Sequence, residues 1–268
     1  MIDWTQYAAH EMSIDEVVQM NRENKNYWGW ANDMFIAGSD DFIAMRFKTG
    51  NNYESVTRAL WRKLCEGAEL VADIGTHSGV FTLDAFKAGA KQVISAEPHP
   101  INYARLVMNV RHGGFPCGGL FYGAIGDENK LGGFLVKGGI THCFAGGRMD
   151  MKNPKGEELP VRVQRLDTLI PKELWPGLKA LKIDAENWTP HVLRGMGDIL
   201  KNGPDLILEC IEPGMGEILK PFGYKFWKIW ETGKIEETDD LIPYNPNNNY
   251  NGTDEDCKNR FASVRGLP

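Results

Sequence analysis

The chemistry this sequence can carry is concentrated in a few acids and glycines: Asp73, Glu97, Asp184, Glu186, Gly75 and Gly79. Residues 71–83 read V-A-D-I-G-T-H-S-G-V-F-T-L, an apolar run that ends in an acid, turns through two glycines and enters an amphipathic segment. A dinucleotide site wants bare amides at such a turn, because pyrophosphate is anionic, and its usual pattern is G-x-G-x-x-G. Here the spacing is Gly75-x-x-x-Gly79, with the Asp73 carboxylate two residues ahead of the first glycine. That anion would repel a pyrophosphate and attract a cation in a partly desolvated site. S-adenosylmethionine is such a ligand, with an ammonium, a sulfonium and no phosphate. The glycines let backbone approach it without side-chain clash. Glu97 lies 97 − 79 = 18 residues after Gly79. An acid at about that offset accepts hydrogen bonds from a ribose diol, in either nucleotide class. Asp73 therefore favours S-adenosylmethionine, with a dinucleotide as the alternative.

Asp184 and Glu186 stand in L-K-I-D-A-E-N-W. For a methyl donor, the protein's task is to align an acceptor oxygen and to supply a base within hydrogen-bond reach. Residues i and i+2 share a strand face, so both acids point into one crevice if the strand runs that far. His142 and His191 are alternative bases, and His77 shapes the turn. Lys182 alternates with Asp184 and is expected to pair with an acid. Two acids are too few to argue a divalent metal, and none is expected.

These residues need elements to position them. Residues 69–74, 92–97, 119–125, 178–184 and 205–210 are strand-like, as is 161–169 at its start. Residues 53–66, 79–88, 100–112 and 189–201 carry helical patterns with suitable caps and first-turn prolines. A short helix is expected at 13–24, an aperiodic aromatic extension at 27–35, and a hairpin or irregular insertion at 126–160. The tail offers strands near 224–230 and 261–264, joined through an Asn-rich loop. Alternating strands and helices imply an α/β fold with a mainly parallel sheet covered on both faces. Ligands bind such sheets beyond the carboxyl ends of the strands, at the switch point, and Asp73 and Glu97 both reach that crevice. The organisation expected is an N-terminal extension over 1–50 and one ligand-binding domain over 51–268.

The formal net charge of −6 over 268 residues argues against a nucleic-acid partner. No apolar run is long enough for a membrane helix. The acidic N-terminus does not resemble a secretory signal, and the five cysteines are scattered without a C-x-x-C pair. A cytoplasmic protein with reduced thiols and no zinc is expected.

Taken in order, the blocks D-I-G-T-H-S-G-V-F-T-L, S-A-E-P-H-P-I-N-Y, G-A-I-G-D, R-L-D-T-L and L-K-I-D-A-E-N-W-T-P-H-V-L-R-G resemble the FkbM-type methyltransferases over about residues 50–230. The resemblance implies a Rossmann-like class I methyltransferase fold, with a seven-stranded sheet and one antiparallel strand near an edge. It implies S-adenosylmethionine as donor and hydroxyls of sugars or other small molecules as acceptors. Carried onto this chain, Asp73, Gly75 and Gly79 surround the methionine part, with Thr76, His77 and Ser78 completing the turn. Glu97 holds the ribose, with Pro98 and Asn102 beside it; Ala124 and Ile125 flank the adenine. Asp184 and Glu186 face the transferring methyl. The chain departs from the family at T-H-S in the turn, at Asn187-Trp188, and at Pro190, where a second Glu is frequent; the last two lie on the acceptor side. D-A-E-N also replaces the N-P-P-Y-like motif common in enzymes that methylate base amino groups. The function expected is O-methylation of a glycan or small hydroxylated metabolite. A dinucleotide-dependent oxidoreductase and a non-catalytic donor-binding domain are the alternatives.

Overall fold

A computed structural model of the chain describes residues 28–31, 34–37, 43, 53–136, 157–209, 212–241 and 259–268. The helix expected at 13–24, His142 and the Asn-rich loop lie outside the described residues. The aromatic stretch near residue 30 contains an antiparallel pair, β1 (Trp28–Ala31) and β2 (Met34–Ala37).

Helix α1 (Ser55–Cys65) places Val56, Leu60 and Leu64 on one buried stripe. Strand and helix then alternate: β3 (Leu70–Ile74), α2 (Val80–Lys87), β4 (Gln92–Glu97), α3 (Pro100–His112) and β5 (Leu120–Tyr122). The strand expected over 119–125 is broken at Gly123, whose φ of 155° lies at the margin of what side chains tolerate. Beyond it, β6 (Ala124–Ile125) leaves the main sheet. It joins β7 (Lys130–Val136) and β8 (Glu157–Gln164) in a small second sheet, ordered β6-β8-β7. These antiparallel strands are the described part of the insertion expected at 126–160; residues 137–156 lie outside the described residues. The strand expected over 161–169 stops at Gln164, and Leu166–Leu169 is the short helix α4, which buries Leu166.

The remaining elements are β9 (Leu178–Ile183), α5 (Thr189–Met196), β10 (Asp205–Glu209), α6 (Met215–Leu219), β11 (Lys225–Ile229), β12 (Ile235–Thr238) and β13 (Asn259–Ser263). The main sheet is ordered β12-β11-β13-β10-β9-β3-β4-β5. From β10 to β5 every pairing is parallel, while β13 runs antiparallel to both β10 and β11. This is the expected α/β class I methyltransferase arrangement with one correction. Among the described residues the sheet has eight strands, because β12 folds back antiparallel on β11 and adds a second reversed strand at the edge.

Side chains alternate across the pleat. Val71, Ala180, Ile207 and Phe261 pack with Leu60, Trp61, Leu83, Leu106 and Val110, on the face covered by α1, α2 and α3. Ala72, Ile74, Leu181, Ile183, Leu206 and Leu208 pack with Leu193 and Met196 of α5 and Leu219 of α6, on the other face. Chain order reverses direction between β3 and β9, so the crevice opens at their carboxyl ends. No helix among the described residues is long and apolar enough to cross a membrane.

Candidate active site

The turn from β3 into α2 is held from three sides. The amides of Gly75 and Thr76 donate to the Ala96 carbonyl at 2.9 and 3.2 Å, and Gly79 N donates to the Thr76 carbonyl at 2.8 Å. Asn109 Nδ2, on α3, donates to the Ser78 carbonyl at 2.7 Å. Gly75 has φ 77°, and a Cβ there would collide with the Asp184 carbonyl. That close approach is why glycine is needed: the turn after β3 lies directly against the chain leaving β9. Gly79, with φ 91°, lies against the Leu106 side chain, less tightly than Gly75 against backbone. His77 adopts a left-handed φ of 51°.

Glu97 ends β4 and is buried, with 5% of its surface exposed. Its two carboxylate oxygens accept from different amides, His77 N on the turn and His99 N after the strand, each at 2.8 Å. The carboxylate thereby ties the glycine turn to the start of α3. Burial raises its pKa, against the opposing effect of His77 and these amide bonds. Each oxygen keeps a lone pair beyond its backbone bond, which a diol can use.

Asp73 occupies a different place from the mouth of the turn. Its side chain lies on the face toward α2, 1% exposed, and Oδ2 accepts the Thr82 hydroxyl at 2.7 Å. The same hydroxyl lies 2.8 Å from Ser95 Oγ. Burial raises the Asp73 pKa to about 7, despite the Thr82 hydrogen bond and the nearby Lys182. Across the sheet Ser95, Asp73 and Lys182 stand in register, forming a polar row beneath α2. Sequence parity alone could have found this: Asp73 shares a face with Val71, which points into the α1–α2 layer.

Lys182 is 1% exposed and its Nζ lies 3.1 Å from Asp184 Oδ2, the acid pairing expected of it. Burial would lower its pKa, but Asp184, then Glu54, Glu209 and Asp73, raise it instead. Its ammonium also lies 4.9 Å from the centre of the Phe81 ring. The Asp184 side chain is 27% exposed, so the acid stands at the mouth with its base anchored by the buried cation. The strand does not extend to Glu186. It ends at Ile183, and Glu186, with φ 52°, opens a 3₁₀ turn, Glu186–Trp188. The shared-face argument for the two acids therefore fails. They are neighbours at one strand end on different local backbones.

Ala124 and Ile125 are buried, Ala124 among Phe134, Val161 and Val163, and Ile125 in the α5 layer. The Ile125 carbonyl accepts Trp188 Nε1–H at 3.0 Å. Next to it, His191 Nδ1 lies 2.8 Å from Asp127 Oδ2, and the imidazole stacks on Trp188 at 3.8 Å between ring centres. Arg194 Nε donates to the same Asp127 oxygen at 3.2 Å. Burial works against ionisation of Asp127, yet His191 and Arg194 hold its pKa below the usual value. The sequence offered His191 without its partner, which comes from the turn between β6 and β7.

Whether these residues fit a nucleoside ligand can be judged from their unmet hydrogen bonds. Thr76 Oγ1, His99 Nε2 and Asn102 Oδ1 are all buried and have no hydrogen-bond partner among the described residues. An unmatched buried polar atom costs on the order of 1–3 kcal/mol. Three such atoms, one in the glycine turn and two located two and five residues after Glu97, fit a polar ligand. Pro98, half-buried, sits between Glu97 and His99.

Residues 73–250 match the family model described as the Methyltransferase FkbM domain. No curated protein matches the chain. Among solved structures, the chain is similar to a methyltransferase FkbM from Methylobacillus flagellatus KT, at 16% identity and a TM-score of 0.38. That match covers 54% of this chain and 33% of the other, so this chain spans about a third of that protein's length. It is also similar to an rRNA methylase from Streptococcus thermophilus, at 11% identity over 78% of this chain and 93% of that one, with a TM-score of 0.41. The M. jannaschii TYW2 in complex with AdoMet is 12% identical over 88% of this chain and 82% of that one, with a TM-score of 0.40.

Proposed function

Because the chain belongs to the FkbM methyltransferase family and its methyl donor is S-adenosylmethionine, we propose that it methylates a hydroxyl group of a glycan or other small polyhydroxylated molecule. The observation that carries this reading is the position of Asp184. Its backbone abuts the glycine turn at Gly75, and its carboxylate stands half-open at the same strand ends, held through Oδ2 by buried Lys182. The bound donor supplies an electrophilic methyl group on a positively charged sulfur. The protein's part is to hold the acceptor oxygen in line and to remove its proton. Asp184 Oδ1, opposite the oxygen bound to Lys182, takes that proton. Glu186 orients the acceptor from the adjoining turn.

The donor side is assigned from the same geometry. Glu97 takes the ribose hydroxyls, the turn Gly75–Gly79 approaches the methionine part, and Asn102 offers Oδ1 to the adenosine half. Asp73 supports the turn from beneath α2 instead of meeting the ligand, so negative charge at the mouth comes chiefly from Asp184. The acidic chain and the D-A-E-N sequence, without an N-P-P-Y-like motif, support a small-molecule acceptor over RNA or DNA.

The test is radiolabelled methyl transfer from S-adenosylmethionine to a panel of mono- and oligosaccharides, with RNA in a parallel arm and the linkage read by mass spectrometry. A base-stable ether methyl on a sugar supports the proposal; label found only in RNA or on nitrogen refutes it. With the sugar identified, Asp184→Asn should lower turnover by about a hundredfold while S-adenosylhomocysteine affinity stays within about threefold of the parent value. Loss of affinity in step with turnover would move Asp184 from base to donor-binding residue.

A further inference from the structure

By sequence His99 is only a residue inside the second sequence block, yet the structure fixes it closely beside Glu97. Its backbone amide donates to Glu97 Oε1 at 2.8 Å. Its Nδ1 accepts from Asn102 N at 3.4 Å, which makes it the N-cap of α3. The ring is fully buried and meets Phe134 edge-on, with centroids 6.3 Å apart. With Nδ1 used as an acceptor, the proton of the neutral imidazole resides on Nε2. The imidazole is neutral because burial lowers its pKa to about 4, with His77 and Arg105 acting in the same direction. That leaves one buried N–H donor, Nε2–H, without a partner among the described residues.

We propose that His99 is a donor-binding residue whose Nε2–H donates to an acceptor atom on the adenosine half of S-adenosylmethionine, beside the ribose held by Glu97. This rests on the donor site described above and adds to it a residue that reads the ligand from the helix side. The three unmet atoms form a complementary set: Thr76 and His99 offer donors, and Asn102 Oδ1 offers an acceptor. Glu97 joins the groups mechanically, because its oxygens are bound by the amides of both the turn and His99. A merely structural N-cap would need only Nδ1; serine, asparagine or aspartate does that more economically. The imidazole provides a second atom on its far side.

The test uses isothermal calorimetry on the full-length chain with S-adenosylhomocysteine and with 5′-methylthioadenosine, which retains the adenosine half and lacks the amino-acid group. His99→Asn keeps an oxygen at the capping position and removes the Nε2 donor. It should retain the parent melting temperature and bind both ligands about tenfold more weakly. His99→Gln restores an N–H near Nε2 and should recover affinity to within about threefold of the parent. Unchanged binding of both ligands by His99→Asn overturns the proposal. Weaker binding of S-adenosylhomocysteine alone overturns the assignment to the adenosine half. If the parent protein binds neither ligand, the donor site itself is wrong, an outcome distinct from a parent that binds and a variant that binds equally well.

Discussion

Glu97 is the residue on which the donor side turns. Its carboxylate is both a structural bracket and a ligand acceptor, since each oxygen already holds one backbone amide. Replacing it by glutamine puts an NH2 group against one of those amides, so one side of the bracket must open. The loss of a charge-assisted hydrogen bond is worth about 1.5–3 kcal/mol. We expect Glu97→Gln to weaken S-adenosylhomocysteine by at least about tenfold, read by calorimetry; an unaltered dissociation constant would remove Glu97 from the site. This residue was legible in the sequence because its offset from Gly79 and its place at a strand end are both local features. Asp73 was only half legible. Its type and position were plain, but whether it met the ligand depended on which face of β3 it occupied.

At the scale of elements, the polar row across β4, β3 and β9 matters most. Ser95, Asp73 and Lys182 come from strands separated by long stretches of chain and are brought level by parallel pairing. Lys182 is the only cation in the row, and it supports Asp184 at the strand end. Lys182→Met keeps the volume of the stem and removes the charge, leaving Asp184 and Asp73 without it. Breaking one side of a buried ion pair costs about 3–5 kcal/mol, so the urea midpoint should fall clearly. Lys182→Met with Asp184→Asn should recover part of the loss, because the stranded carboxylate is removed as well. Equal stability of parent and Lys182→Met would show that the buried ammonium carries no net role. A second tie, between α1 and α2, comes from Asp84, which is fully buried and accepts from Arg58 Nε and Nη2 at 2.6 and 3.0 Å. It fixes the helix that follows the glycine turn.

For the molecule as a whole, pH acts through acids placed in the core. Asp73 has its pKa raised to about 7, chiefly by burial. Glu231, which follows β11, also has a pKa raised to about 7 by burial and by Glu54, while it accepts from Val56 N and Thr57 N at the start of α1. Both acids bind a proton more tightly folded than unfolded. Their stabilising contribution is full below the ordinary carboxylate range and is lost as pH rises through about 7. His99 acts in the opposite sense, because its pKa falls to about 4 in the fold. Its contribution is lost as pH drops below the ordinary histidine range. The melting temperature should therefore rise as pH falls from about 8 toward about 5, with His99 offsetting only part of the gain from the two acids below about pH 6.5. The double variant Asp73→Asn, Glu231→Gln should lose the rise, measured by scanning calorimetry; a parent curve flat over the same interval would contradict the raised values.

Amino-acid order by itself determined the succession of strands and helices, the glycine turn, the acid closing β4 and the acids closing β9. Each rests on period, caps and residue type within a dozen positions. It also carried the family, through blocks kept in order. Tertiary structure decided what those residues touch. Gly123 diverts β6 into a second sheet, which brings Asp127 to His191; β12 adds an eighth strand; the strand end at Ile183 separates Asp184 from Glu186. Pleat parity hides Asp73 beneath α2, and burial leaves His99 with one unmet N–H. These outcomes depend on pairings between distant segments, whose free energies come from burial and desolvation that no local window of sequence contains.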